Sequence, residues 1–386
     1  MLIGLVGAPN KGKSTLFSAL TMVDVAIADY PFTTIDPNKG VAYMPKECVE
    51  KELGVKCDPR NSLCRNGTRF IPINMVDIAG LVPGAHLGKG MGNQFLNDVM
   101  SADALIQVVD LSGKTDLNGN PVDNADPAEE VKMVVEEIAN WLASIMRRNA
   151  KLKNAKSADP VREMLATFRF GEDAIDGAAA ACALSFPAAA WSDDSMLKFA
   201  RELLRLGKPI IVAANKLDAA APGKLEALRT ALKGYEVIGT SAAVELALRK
   251  AAKAGTIEYV PGSKSFETRS AASPEQENAL KYMKSFISKS GSGVGDLLTK
   301  IVLDAMHMIV AYPVEDENKY TDHGGNVLPD AILLRQGSTP LDLAYAIHTE
   351  LAKRMLYAID AKKKVRVAKD YALKDNDVIK IVSAAK

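Results

Sequence analysis

Eight residues near the start of the chain, Gly7-Ala8-Pro9-Asn10-Lys11-Gly12-Lys13-Ser14, have the types and spacing that can hold a polyphosphate. Gly7 and Gly12 let the backbone turn tightly enough to aim its N–H groups at phosphate oxygens. Lys13 can reach the β- and γ-phosphates, and the Ser14 hydroxyl is a hard oxygen ligand suited to Mg²⁺. Asn10, Lys11 and Thr15 complete the candidate nucleotide-contacting stretch. A Gly-rich turn that matched by chance would lack flanking elements. Here an apolar, strand-like run, Leu2–Val6, leads in, and a helix-like segment, Thr15–Leu20, leads out. The positive end of that helix adds to the anion site.

Other chemistry-bearing residues follow in order. Tyr30-Pro31-Phe32-Thr33-Thr34 lies in a polar, proline-punctuated segment that reads as a loop. Thr34 is the expected ligand to Mg²⁺ and the γ-phosphate contact, with Thr33 as the alternative. Phe70–Asp77 reads as a strand ending in a carboxylate that can orient Mg²⁺, and the N–H of Gly80, three residues on, can sense the γ-phosphate. Gly84, Gly88, Gly90 and Gly92 then suggest a loop able to rearrange with phosphate state. Ala104–Asp110 and Pro209–Ala214 read as buried strands. The second runs into Asn215-Lys216-Leu217-Asp218. A carboxylate at Asp218 can accept from guanine N1–H and the 2-amino group. Adenine lacks both donors and would leave the acid unpaired. Asn215 would brace the loop and the Lys216 stem would cover the base. Val237–Ala242 reads as a short strand ending in Ser241-Ala242, whose backbone could meet the base edge.

The positioning elements need a chain of this size. At 386 residues, two or three domains are expected. A net charge of +1 advertises no bulk nucleic-acid binder, so any basic surface must be local. Four cysteines are sparse for this length and fit a reducing compartment. The N-terminal apolar run is too short for a signal peptide and no stretch is long enough to span a bilayer, so a cytoplasmic location and no membrane partner are expected. Cys48, Cys57 and Cys64 could bind a metal, but C-x-x-C pairs are absent and structural zinc wants four ligands; reduced thiols packed in a small insert are the preferred reading.

Asp126-Pro127 opens a helix with apolar residues Val131, Val134, Ile138, Trp141, Leu142 and Ile145 at helical spacing. It runs into an acid-free basic stretch, Arg147–Lys156, which is either a solvated face or an RNA contact. Helical segments are expected from about 160 to 184 and 194 to 206, and again over Pro274–Ser288 and Gly293–Val310. From about Ala311 the texture changes. Ala331–Leu334 reads as a strand, Gly337–His348 as a turn entering a helix, and Val365–Ala368 followed by Tyr371–Val382 as a strand, a turn and a strand. Lys362, Lys363, Lys364, Arg366 and Lys369 form a local basic cluster.

Taken with Tyr30–Thr34, Asp77-Ile78-Ala79-Gly80-Leu81 and Gly92-Asn93-Gln94-Phe95-Leu96, the set resembles the Obg-like GTPases, most closely the YchF subfamily in an archaeal form. The resemblance implies an α/β P-loop GTPase domain with a helical insertion, plus a C-terminal β-grasp (TGS) domain. The expected division is 1–126 and 207–310 for the GTPase domain, 127–206 for the insertion and 311–386 for the TGS domain. It implies slow GTP hydrolysis, because Leu81 stands where many switch GTPases carry a water-orienting glutamine. It also implies Mg²⁺ held by Ser14, Thr34 and Asp77, with Lys13, Thr34 and Gly80 at the reacting phosphate. Asn10 matches an asparagine that helps hold K⁺ in related GTPases; its plain role is loop bracing. TGS modules imply ribosome or RNA contact. Two alternatives stay open: an ATP-preferring hydrolase of the same family, and a nucleotide-gated RNA- or ribosome-binding module with incidental hydrolysis.

Overall fold

A computed structural model describes residues 1–22, 38–84, 92–153, 156–270 and 273–384. Thr33, Thr34, Gly88 and Gly90 lie outside the described residues. The strands of the N-terminal portion are β1 (Leu2–Val6), β2 (Lys39–Glu47), β3 (Leu63–Arg65), β4 (Thr68–Asp77), β5 (Ala104–Asp110), β6 (Ile210–Asn215) and β7 (Glu236–Gly239). They form one sheet in the order β2-β4-β1-β5-β6-β7, with β3 on β4. Pairing is parallel from β4 through β1, β5 and β6 to β7. Parallel strands buried on both faces read as near-continuous apolar runs. That is why β5, buried at all seven positions, was legible as a strand. A hairpin of β8 (Ile257–Tyr259) and β9 (Phe266–Thr268) follows.

The chain divides into two compact units. The first comprises 1–22, 36–41 and 74–297 and holds most of the parallel sheet. Its largest apolar cluster joins Leu105 of β5 to the helix Pro127–Arg148, through Val134, Ile138, Trp141 and Leu142, and to the helix Asp193–Gly207, through Phe199 and Leu203. Each such fully buried side chain contributes about 1.5–3 kcal/mol. The expected caps are in place: Asp126 Oδ1 accepts from Ala128 N–H at 2.9 Å, with Pro127 in the first turn.

Among the described residues, the second unit comprises 42–73 and 298–384. Its separate sheet contains β10 (Met308–Val314), β11 (Ile332–Arg335), β12 (Met355–Asp360), β13 (Val365–Val367) and β14 (Asp377–Ser383), in the order β11-β10-β14-β12-β13. Only β10 and β14 run parallel; the other pairs are antiparallel. The helix Pro340–Ile347 opens with a reciprocal Thr339/Asp342 capping box and buries Leu343 and Ala344 against Ile309, Ala358 and Ile379. One helix crossing a mixed sheet is the β-grasp arrangement.

Two expectations need correction. The helix expected over Gly293–Val310 ends sooner: the α-turns stop at Thr299, a π-type turn follows to Ala305, and Met308 begins β10. Ile309 and Val310 are β-branched, and pairing with β11 and β14 overrides a helical pattern there. The helix expected to run through His348 ends one residue earlier, at Ile347. His348 closes that helix and caps the next, Thr349–Lys353, accepting from Glu350 N–H at Nδ1 (3.1 Å).

Candidate functional site

All the described candidate site residues belong to the first unit. β1 delivers the chain into the loop at Gly7, and Gly12 takes a left-handed conformation (φ 86°) before the helix Lys13–Thr21. The first intrahelical bond is Leu16 N–H to Gly12 O (2.9 Å), so the helix leaves the preceding N–H groups of Lys13, Ser14 and Thr15 unpaired. No acidic residue stands in that first turn to compete with an anion. Burial lowers the Lys13 ammonium below its ordinary pKa, against the opposing pull of Asp77.

Ser14 Oγ donates to Asp77 Oδ2 at 2.8 Å. Asp77 stands at the end of β4, next to β1 in register, and its other oxygen, Oδ1, is buried without a partner. A hydroxyl and a carboxylate with one unmet oxygen form a hard-ligand pair of the kind Mg²⁺ takes, so the donor set fits that ion. Gly80 packs against the loop, where an added Cβ would lie 3.1 Å from Pro9 Cγ. Leu81 donates its N–H to Gly7 O (3.1 Å) and buries its side chain in the core of the unit. The residue after Gly80 is therefore a packing anchor.

The residues expected to read the base converge from the ends of β6 and β7. Asn215 Nδ2 donates to Lys11 O (3.0 Å), and its Oδ1 accepts from Ala242 N–H (3.1 Å) and Thr240 Oγ1 (3.4 Å). The asparagine thus ties the phosphate loop to the base loops. Asp218 Oδ1 accepts from Ser241 Oγ at 2.5 Å. Ser241 N–H is itself taken by Ser292 O (2.9 Å). Ser241 therefore holds Asp218 through its hydroxyl, and the Ala242 N–H, a backbone group expected to meet the base edge, is taken by Asn215. Lys216, at φ 62°, donates to Asn10 O (3.0 Å) and Asp110 Oδ2 (2.9 Å).

Sequence reasoning passed over Asp110 and Glu130. Burial pushes the Asp110 carboxyl up, but hydrogen bonds from Ser112, Lys216 and Thr115 outweigh it and hold it below its ordinary value. The available signal was its place at the C-terminal end of a buried strand. The Lys11 side chain does not turn to the phosphate site. It is fully buried and meets Glu130 Oε1 at 2.5 Å, Thr115 Oγ1 at 2.9 Å and two backbone carbonyls. Asn10 Nδ2 donates to Gly119 O (2.9 Å).

The local basic surfaces differ in their engagement. Lys362 pairs with Glu52, Lys363 with Asp360, Lys364 lies over the Tyr320 ring, and Arg366 lies over Tyr357. On the helical stretch, Arg147 pairs with Asp193, while Lys151 and Lys156 are exposed. No helix among the described residues is long and apolar enough to cross a membrane.

Comparison with known proteins places family models along the chain: a 50S ribosome-binding GTPase over residues 2–152, the G4 motif-containing domain of an Obg-like GTPase, YGR210-like, over 213–316, and a TGS domain over 325–383. A GTP-binding protein of Methanocaldococcus jannaschii is 50% identical, with both chains covered completely. The crystal structure of a GTP-binding protein from Pyrococcus horikoshii superposes with a TM-score of 0.78 at 39% identity, again over 100% of each chain. The ribosome-binding ATPase YchF of Haemophilus ducreyi is 42% identical over 163 residues, which is 40% of this chain and 41% of that protein.

Proposed function

Because the chain belongs to the YchF-type Obg-like P-loop GTPases, we propose that it is a Mg²⁺-dependent GTP-binding switch that hydrolyses GTP slowly. The observation that carries the guanine assignment is the fixed Asp218 carboxylate. One oxygen is occupied by Ser241 Oγ, and the carboxylate is held at the mouth of a loop that Asn215 joins to the phosphate loop. In this reading Gly12, Lys13, Ser14 and Thr15 bind phosphate, with Asn10 and Lys11 shaping the loop. Asn215, Lys216 and Asp218 read and cover the base, braced by Ser241 and Ala242. Ser14, Asp77 and Thr34 would hold Mg²⁺, which when bound neutralises phosphate charge. Gly80 senses the γ-phosphate. Slow turnover follows from Leu81, which is packed in the core and has no side-chain group to orient water. Asn10 commits Nδ2 to Gly119 O, which leaves Oδ1 as the atom for a K⁺ ion; equal turnover in K⁺ and Na⁺ buffers would remove that ion from the scheme.

The test is a titration of GTP against ATP with the unaltered chain and Asp218→Ala. GTP is expected to win by about tenfold or more, about 1.4 kcal/mol, and Asp218→Ala to erase the difference. Equal affinities, unchanged by the substitution, would reassign the chain to ATP, the nucleotide in the name of the Haemophilus ducreyi relative.

We further propose that the helical stretch 127–206 and the TGS module 311–386 face a ribosomal or RNA partner. Support comes from the names of the ribosome-binding family model and relative, and from the exposed Lys151 and Lys156. Co-sedimentation with ribosomes that depends on the bound nucleotide is expected. Its absence in the GTP, GDP and nucleotide-free states would remove this partner.

A further inference from the structure

Four ligand-type side chains, separate from the nucleotide site, come together in the second unit. Cys48 follows β2, Glu50 opens the single-turn helix Glu50–Leu53, Cys57 lies in the loop beyond it, and Cys64 sits on β3. All three thiols are unoxidised, and the three sulfurs and a Glu50 oxygen lie within 4.8 Å of one another. Cys48 Sγ stands 3.9 Å from Cys57 Sγ, and Cys64 Sγ stands 3.4 Å from Glu50 Oε1.

Those spacings match a tetrahedral ion. With Zn–S near 2.3 Å and Zn–O near 2.1 Å, two thiolate sulfurs lie about 3.8 Å apart and a sulfur and a carboxylate oxygen about 3.6 Å apart. The carboxylate is also oriented as a ligand should be. Glu50 Oε2 accepts the Cys57 backbone N–H at 2.8 Å, which directs Oε1 toward Cys64. Cys48 is held from behind, its N–H donating to Gly67 O at 2.9 Å. Packed thiols alone require no inward carboxylate, and a disulfide would leave one cysteine and Glu50 without a role.

The neighbouring charge makes an independent argument. Arg69 pairs directly with Cys64 across the β3–β4 hairpin, so the two side chains share a face. Arg69 is fully buried, yet its Nη2 donates only to the backbone carbonyls of Leu328 (2.9 Å) and Pro329 (3.2 Å). Its Nε and Nη1 have no partner, and among the described residues no carboxylate pairs with it. A buried guanidinium without a counter-charge is strongly unfavourable. A divalent ion on three thiolates and one carboxylate carries a net charge of −2, and that anion beside Arg69 supplies what the arginine lacks.

We propose that Cys48, Glu50, Cys57 and Cys64 form a structural site for a thiolate-preferring divalent cation of the zinc class. The site closes four full protein ligands around the ion, which leaves no open position for catalysis. It fastens the 48–64 segment, where regular structure is scarce.

The test is a Co²⁺ titration of the full-length, nucleotide-free chain under reducing conditions, followed by Zn²⁺ competition. One equivalent of Co²⁺ is expected to give intense visible d–d bands with thiolate-to-metal charge transfer, and Zn²⁺ should bleach both. Glu50→Gln and Cys57→Ser should each weaken Co²⁺ binding by about tenfold or more, while Cys182→Ser, which alters the cysteine outside the cluster, should leave it unchanged. Weak octahedral-type absorption in the unaltered chain would overturn the proposal, and that result needs no variant to fold. So would tetrahedral bands that persist undiminished in both Glu50→Gln and Cys57→Ser.

Discussion

Gly12→Ala should lower GTP affinity by roughly thirtyfold to more than a thousandfold, with little change in the stability of the chain. Gly12 stands at φ 86°, where an alanine costs about 1–2 kcal/mol. A Cβ there would also run into Asn215 Nδ2. Displacing that amide breaks its bond to Lys11 O and leaves a buried polar group unpaired, a further loss of about 1–3 kcal/mol. Without nucleotide the loop can relax and shed both terms. With nucleotide the loop must return to the strained geometry, so the penalty falls on binding and totals about 2–5 kcal/mol. Gly223→Ala is the matched control: it carries the same sign of backbone strain (φ 81°) with nothing within 4 Å of the added atom. Calorimetric titration of both variants decides the matter. GTP affinity within threefold of the unaltered chain for Gly12→Ala would mean that this loop does not hold the phosphates.

The sequence is legible where burial dictates composition and silent where residues distant along the chain meet. Strands β1 and β5 follow their largely apolar runs, because burial on both faces favours that composition; the polar Gln107 and Asp110 of β5 are buried with hydrogen-bond partners. The loop glycine could be read because only glycine suits the turn. The Asn215 partner could not, since the contact joins positions 204 residues apart. Strand β2 has only a four-residue apolar run, Val41–Met44, flanked by Lys39 on one side and Pro45, Lys46 and Glu47 on the other. At Met308–Val310, sheet pairing overrode a helical pattern that continued from the preceding turns. The thiol cluster followed the same logic. Its cysteines were visible, but the ligand beside them is a glutamate brought in by a single helical turn, which no C-x-x-C spacing announces.

Lys11 illustrates the limit most sharply, and it carries the largest expected effect on stability. By position it belongs to the phosphate loop. By contact it is a buried bolt between that loop and the helix Pro127–Arg148, paired with Glu130 at 2.5 Å while Glu130 Oε2 is left without a partner. Burial outweighs the attraction of Lys11 and pushes the Glu130 carboxyl up to about 7, with the Asp110 charge adding to the rise. Lys11→Met should destabilise the chain by about 3–5 kcal/mol once the pH exceeds the further-raised pKa of Glu130, because it then strands an ionised carboxylate in the core. Lys11→Met with Glu130→Gln should recover most of that loss, since no charge is then buried. The pH dependence has a definite sign. Where the folded carboxyl holds a proton that the unfolded chain has released, stability falls as pH rises. In the unaltered chain that window runs from the ordinary glutamate range to about 7. Removing Lys11 extends it upward, so the Lys11→Met penalty should be small near pH 5, larger by about 1.4 kcal/mol at pH 8, and still growing above it. Urea midpoints of the single and double variants at both pH values test this. A penalty that is equal at the two pH values, or that the double variant does not relieve, would show that Lys11 stabilises the loop through its Thr115 and backbone contacts and that its charge plays no part.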